Sequence, residues 1–507
     1  VAATPGPRIL ALDLGLTHAK AVVFDPEGHL VARASVPYAT ARPTPGRVEQ
    51  DPGEWWSTLL AAVGEIRERS PGALEAVEVI GVTGHMHGLV LEDEDRRPIG
   101  PAIVLGDHRA TAQAQRISEH LTPEWIARTT GATLDPSMPA AELRWIAENN
   151  PDALARAALI TGPKDHLRGR LAGGRLTEPI DACATSLYDI RASRWSPELL
   201  DAAGVTASQL PDVVACESIA GPLDAEAAAS LGMRPGTPVV VGAGDDVEIL
   251  GGGVLDPGEA LEHIGTTGSI LAVALEPVDD PQLSIELYPS VLPDRWVLGG
   301  SMTTAGAALG WVADLLGYAS IAEMLTVLGD GRLPGDPQRA APIFVASMAG
   351  DRCPVRDPGA RGAWVGLDTT VDRASLGRAA FAGVADALDR VKRSIEVLVG
   401  RQRLMVVSAG GSDLDPLWLG LRADTYGLPL VTLETPEPTA LGLATVAAAG
   451  IGLHRDVRTA VGAMVRRQPA VDPSSAGDDR RLAEREAADR AVDALRGVWP
   501  ALAGQGG

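Results

Sequence analysis

The sequence predicts an α/β protein of two lobes flanking a cleft. Three observations predict it. Short β-branched runs alternate with helical periods along all 507 residues, a length that exceeds one ordinary core. Each half carries one hairpin turn built from glycine and hydroxyl residues, which suggests an internal duplication. Near the middle, Val239-Val240-Val241 runs into Gly242-Ala243-Gly244 and then two carboxylates, Asp245 and Asp246. Glycines there let the chain turn sharply and let a ligand approach, and a carboxylate at a buried strand end is costly unless it has a partner or a task. The expected boundary falls at this stretch, with domains over 1–245 and 246–507.

Composition narrows the classes. The net charge of -22 argues against a nucleic-acid surface. No apolar run is long enough to span a bilayer, and no signal peptide opens the chain, so no membrane partner is expected. Cys183, Cys216 and Cys353 are far apart, without metal-type spacing, which fits a reducing cytoplasm. Lysine occurs only at Lys20, Lys164 and Lys392, and no Gly-Lys dipeptide exists, so a P-loop is excluded.

In the first half, a strand over 9–12 ends in Asp13-Leu14-Gly15, and Thr17-His18 leads to Lys20 and a second strand over 21–24. Backbone N–H groups and the Thr17 hydroxyl of such a turn can hold a phosphate, with the acid holding a metal ion. Asp51-Pro52 reads as the cap and first turn of a helix through Leu59, Val63 and Ile66. A buried strand over 77–82 enters Thr83-Gly84-His85-Met86-His87-Gly88. Two histidines two apart share a strand face, but no third ligand stands nearby, so polar contacts to a hydroxylated ligand are the better reading than metal. Asp107-His108-Arg109 follows the strand over 103–105, with a surface ion pair as its plain alternative. Residues 136–149 predict an amphipathic helix, and 191–214 helix and loop.

Beyond the central stretch, strands flank Gly265-Thr266-Thr267-Gly268-Ser269, the second hairpin turn. A helix is expected over 303–316, opening with Thr303-Thr304-Ala305-Gly306. A long helix follows over 376–398, a strand over 404–407 ending in Gly410-Gly411, and a small-residue helix over 439–449. A charged helix over 478–496 is expected to dock on the surface.

Taken in order, these segments resemble the FGGY family of carbohydrate kinases over nearly the whole chain. The carriers are Asp13-Leu14-Gly15-x-Thr17-x-x-Lys20, Glu49-Gln50-Asp51-Pro52-x-x-Trp55-Trp56, Gly84-x-Met86-His87-Gly88, Ser137-x-Pro139-x-x-x-Leu143-x-Trp145, Gly244-Asp245, Gly265-Thr266-Thr267-Gly268, Gly362-x-Trp364-x-Gly366-Leu367, Gly410-Gly411 and Glu437-x-x-Ala440-Leu441-Gly442. The Met-His-Gly segment is similar to that of the xylulose kinases. His85 and Asp246 stand where those enzymes usually have Gln and Asn, and Glu142 replaces the usual lysine of the first family signature.

The resemblance implies two actin/hexokinase-type (ribonuclease H-like) ATPase domains, the first binding sugar and the second nucleotide. It implies phosphorylation of a sugar hydroxyl by ATP with Mg2+, Asp245 acting as general base and Asp13 on the metal. Thr17 and Lys20 would lie near the transferred phosphoryl group. Gly265, Thr266 and Thr267 would cradle phosphates, with Gly306, Gly410 and Gly411 also on the nucleotide. Met86, His87 and Asp246 would contact the sugar, supported by Asp107 and Arg109. D-xylulose is the first candidate, with gluconate, ribulose and erythritol open beside it. A non-catalytic sugar sensor on the same fold is the distant rival, disfavoured because Asp13 and Asp245 are both present and no helix-turn-helix precedes the first strand. The partners implied are the sugar and ATP, and family members are often homodimers.

Overall fold

The computed structural model describes residues 6–70, 72–329, 342–400, 403–409, 415–474 and 478–503. The chain forms two compact units. One comprises Val1–Leu255, Leu287–Trp296 and Glu437–Arg466; the other comprises Asp256–Glu286, Val297–Pro436 and Arg467–Gly507. The first unit therefore runs past Asp245 and takes back the Glu437–Gly442 segment from the second half.

The first unit is built on a mixed sheet. Arg8–Leu14, His18–Phe24 and Leu30–Pro37 form an antiparallel meander. Val77–Gly84 lies parallel to the first of these, and Pro238–Val240 parallel to Val77–Gly84 in turn. Ala243–Gly244 extends the parallel pairing opposite Thr83 and Gly84. The hairpin strands are buried nearly end to end, which is why they read as continuous apolar runs.

The helix Pro52–Arg69 covers this sheet. Asp51 caps it by accepting from the Gly53 N–H at 2.8 Å, and Pro52 stands in the first turn, where a missing N–H costs nothing. Trp55, Leu59, Val63 and Ile66 pack against Leu10, Leu12, Ala21 and Val23 in one core. The helix Pro438–Gly450 is buried almost all round, so its small residues need no polar face. It crosses Glu248–Gly251 so closely that a Cβ on Gly442 would lie 2.1 Å from the Val247 carbonyl oxygen.

The second unit repeats the plan. Glu259–Ile264 pairs antiparallel with Gly268–Ala274 and parallel with Met405–Ala409, which is parallel to Leu430–Thr432. Trp296–Met302 flanks Gly268–Ala274 on the other side. Five neighbouring strands of each sheet follow one order: Leu30–Pro37, His18–Phe24, Arg8–Leu14, Val77–Gly84 and Pro238–Val240 in the seven-stranded first sheet, and Trp296–Met302, Gly268–Ala274, Glu259–Ile264, Met405–Ala409 and Leu430–Thr432 in the six-stranded second. The long helix Arg373–Leu398 is capped by Asp372.

Several elements differ from the sequence expectation. The helix predicted from 136 begins at Pro139, because Asp135 accepts from the Ser137 N–H and hydroxyl and holds the preceding turn. The helix predicted from 303 begins at Gly306. The 191–214 stretch divides into the hairpin Tyr188–Asp189/Arg194–Trp195, the helix Pro197–Ala203 and the short strand Asp212–Val213. The tail helix Asp478–Arg496 is tied by Arg481 to Asp424 at 3.0 Å and by Asp489 to Arg393 at 3.0 Å. It ends in a segment that buries Trp499 beside Val345, Ala360 and Val492. Among the described residues, no helix is long and apolar enough to cross a membrane.

The Gly442 contact gives a direct test. Gly442→Ala forces the two helices apart and should cost about 2 kcal/mol, read as a lower urea midpoint; an unchanged midpoint would refute the close crossing.

Candidate active site

The first hairpin sets the first cluster. Asp13 and Lys20 face each other across the two strands, next to the turn in which the Gly15 N–H donates to the His18 carbonyl at 3.0 Å. The Tyr38 hydroxyl closes on the Gly15 carbonyl, and Thr17 is exposed at the tip. Lys20 Nζ lies 3.7 Å from Asp13 and 3.0 Å from Glu437, while Arg33 holds the other Glu437 oxygen at 2.9 Å. Glu437, which the sequence placed with the second lobe, thus belongs to the Asp13 turn. Burial pushes the Asp13 carboxyl up to about 6; Lys20 offsets part of this, and Glu437 and Glu248 add to it.

Asp245 opens a short 3-10 turn, Asp245–Val247, directly after the Ala243–Gly244 strand end. Asp245 and Asp246 are half-buried. Burial pushes the Asp245 carboxyl well above the usual range, and the nearby charges of Asp246, Asp13, Asp181 and Glu248 push it further. The structure therefore brings Asp13 and Asp245 into one electrostatic neighbourhood, although 231 residues stand between them in sequence.

Met86 and His87 stand beside the same strand end. A Cβ on Gly244 would meet Met86 Sδ at 2.9 Å and Asp181 Oδ1 at 3.0 Å, so glycine is what lets these side chains close in. His87 has φ 64, a left-handed backbone that non-glycine residues rarely hold, and its Nδ1 lies 3.0 Å from the Ala184 carbonyl oxygen. Such strain is typical of functional sites. His85 is buried against the Trp55 ring, and burial brings its pKa down to about 4.

Asp107 and Arg109 form a buried pair in place of a surface one. Asp107 Oδ1 accepts from Arg109 N and Nε at 2.9 Å, and Oδ2 accepts from Val48 N at 2.6 Å and an Arg109 terminal nitrogen at 2.7 Å. Arg109 also reaches Glu49 at 2.6 Å and lies over the Trp145 ring. Burial alone would raise the Asp107 carboxyl, but the Arg109 hydrogen bonds and the Val48 N–H outweigh it and hold it low. With both oxygens engaged, the pair is suited to fixing the chain around it.

In the second unit, Thr266 and Thr267 are exposed on a turn closed by the Gly265 N–H donating to the Thr267 carbonyl at 2.9 Å. Gly306 N donates to the Gly265 carbonyl at 2.9 Å, and Ala305 N to that of Thr266 at 3.0 Å. A Cβ on Gly306 would lie 2.4 Å from that Gly265 oxygen. The helix Gly306–Leu315 therefore begins against the turn and holds its backbone. Gly410 and Gly411 lie outside the described residues.

Sequence reasoning missed several groups here. Glu248 lies three residues past Asp245, and its place on the following helix was a usable signal. Lys164, Glu178 and Asp181 are buried near the strand end, far from any motif. Glu142 is fully buried; burial and the Asp107 charge hold its carboxyl well above the usual range. Among the described residues, Asp25, Glu27 and His29 are the one group with three donor atoms within 4.8 Å. Asp25 there already accepts from the Glu27 and His29 N–H groups, and nothing marks that exposed turn as a metal centre.

A five-strand order repeated within both sheets, with a glycine hairpin turn in each unit, defines the actin/hexokinase-type α/β class. The model of the N-terminal domain of the FGGY family of carbohydrate kinases matches residues 8–251, and that of the C-terminal domain matches 262–451. The chain belongs to the FGGY family and is a carbohydrate kinase. It is 28% identical over 470 residues to the xylulose kinase of Bacillus subtilis (92% of this chain, 93% of the relative). It is 27% identical over 476 residues to the gluconokinase of the same organism (92% of each chain). A crystal structure of a xyloylose kinase from Brucella ovis superposes with a TM-score of 0.86 at 28% identity, covering 98% of this chain and 99% of that one.

The raised Asp13 group makes a linkage prediction. Between pH 3.8 and about 6 the folded chain keeps a proton that the unfolded chain loses, so Asp13 erodes stability as pH rises. Asp13→Asn removes this term. Its unfolding free energy relative to the parent should rise by up to about 3 kcal/mol between pH 4 and 7, measured in urea at both pH values. A constant or falling difference would refute the raised carboxyl.

Proposed function

We propose that this kinase transfers the γ-phosphoryl group of ATP to a hydroxyl of D-xylulose, forming D-xylulose 5-phosphate. Asp245 is the general base: it accepts the hydroxyl proton as the sugar oxygen attacks phosphorus. A positioned base contributes about 10²–10⁴-fold, and a carboxyl raised by its surroundings is better matched to that task near neutral pH. Met86, His87 and Asp246 contact the sugar, and the Asp107–Arg109 pair supports the adjoining loop.

The first unit takes the sugar and the second the nucleotide. Thr17 and Lys20 act on the transferred phosphoryl group. Gly265, Thr266 and Thr267 hold phosphates through N–H and hydroxyl donors, with Gly306 keeping that turn against its helix. Gly410 and Gly411 are assigned to the nucleotide on sequence alone. Asp13 holds Mg2+, directly or through water. Its carboxylate, with Glu248 nearby, is the hard oxygen donor type this ion takes, and Mg2+ typically keeps several waters and needs no complete protein cage. When bound, the ion neutralises phosphate charge. The three buried thiols suit a reducing cytoplasm as the place of work.

The observation that carries the choice of sugar is the carboxylate crowding around Asp245, with Asp246, Asp13, Asp181 and Glu248 all acting on it. A neutral ketose adds no charge to this neighbourhood, whereas the carboxylate of gluconate would be repelled by it. The similarity to gluconokinase keeps gluconate as the second reading.

A coupled ADP-release assay across xylulose, ribulose, gluconate, glycerol and erythritol tests the assignment, with the highest kcat/KM expected for D-xylulose. A higher value for gluconate would overturn the charge argument and turn attention first to Asp246. In the same assay, Asp245→Ala should lose about 10²–10⁴-fold in kcat while sugar still produces a thermal shift. Near-normal kcat would reject Asp245 as the base.

A further inference from the structure

Lys20, Lys164 and Lys392 are the only lysines in a chain that carries 44 lysines and arginines together. Each sits among carboxylates. Lys20 meets Asp13 and Glu437, and Lys392 is buried between Asp389 at 3.3 Å and Glu396 at 2.9 Å. Lys164 is fully buried. Its Nζ lies 2.8 Å from Asp165 Oδ1, 3.3 Å from Asp181 Oδ2, 3.7 Å from Glu178 Oε1 and 3.4 Å from the Val241 carbonyl oxygen. Several acceptors around one nitrogen suit a compact ammonium better than a planar guanidinium.

Glu178 carries this cluster to the base loop. Its Oε1 accepts from Gly244 N at 3.0 Å and from Asp181 N at 3.1 Å, and its Oε2 accepts from Ile180 N at 2.5 Å. Val241 and Gly244 bracket the turn that runs into Asp245, so the pair holds that turn at both ends. The same carboxylate caps the helix Pro179–Ala184. Every group in this chain of contacts is buried, where a charge persists only with partners.

We infer that Lys164 and Glu178 are positioning residues for phosphoryl transfer, clamping the Val241–Gly244 turn so that Asp245 meets the sugar hydroxyl in line. The inference rests on the reading of Asp245 as the base. Neither residue touches substrate. Their effect runs through the placement of Asp245, where a displacement of about 1 Å can cost ~10²-fold in rate.

Kinetics of the full-length enzyme test this, with D-xylulose or the panel sugar that turns over best. Glu178→Ala should lower kcat by about 10–100-fold while KM for sugar and for ATP stay within about threefold. Glu178→Gln, which keeps an acceptor oxygen for the Gly244 N–H, should recover part of that loss. The decisive comparison is made in the Asp245→Ala background. If Glu178 acts through Asp245, adding Glu178→Ala there costs nothing further in the residual kcat, whereas a general structural defect multiplies with it. Multiplying losses, or a folded Glu178→Ala enzyme within threefold of the parent kcat, would overturn the inference. Should Glu178→Ala not fold, Lys164→Met in the same two backgrounds is read by the same criteria. Turnover retained by Asp245→Ala alone would instead overturn the base assignment.

Discussion

Carboxylates crowd the ends of the first unit's parallel strands, and two lysines offset them. Asp13, Asp245, Asp246 and Glu248 make one group of mutually acting charges, and Glu178 and Asp181, at the Gly244 strand end, make a second. Lys20 offsets the first group and Lys164 the second. Burial is the main cause of the raised Asp13, Asp245 and Asp181 carboxyls, and the neighbouring carboxylate charges add to it. Such an arrangement is poor for stability and good for chemistry. It keeps a carboxylate basic, and it leaves a deficit of positive charge that, in the function proposed above, a bound cation would meet.

The sheet supplies what this crowding needs. Two parallel neighbours, Arg8–Leu14 and Val77–Gly84, end in register, with Asp13 opposite Thr83 and Leu14 opposite Gly84. Ala243–Gly244 then joins the Val77–Gly84 strand at the same edge. Three loops from distant parts of the chain therefore open at one place, the usual location of sites on parallel sheets. Glycine at 244 allows Met86 and Asp181 to press against the strand end. The helix Pro438–Gly450 packs on the same strands and brings Glu437 to Lys20.

The second unit uses the same five-strand order around a different turn. Its turn, Gly265 to Thr267, carries no acid and offers exposed hydroxyls on a backbone held by the start of the Gly306–Leu315 helix. The duplicated topology thus carries unlike turns: one bears charge and the other neutral donors.

Much of this was legible in the sequence because it is local. Alternating apolar runs, glycine turns and the carboxylate after Gly244 state the α/β class, the hairpins and the candidate base without reference to distant residues. The helix start at Asp51-Pro52 follows from cap chemistry within a few residues. What tertiary structure alone decided is pairing across long separations. The return of Glu437 to the Asp13 turn, the burial of the Asp107–Arg109 pair, and the cage of Asp165, Glu178 and Asp181 around Lys164 leave no periodicity or spacing to read. A charged side chain looks the same in sequence whether water or protein surrounds it. Only the folded chain sets its dielectric, its partners and so its proton affinity.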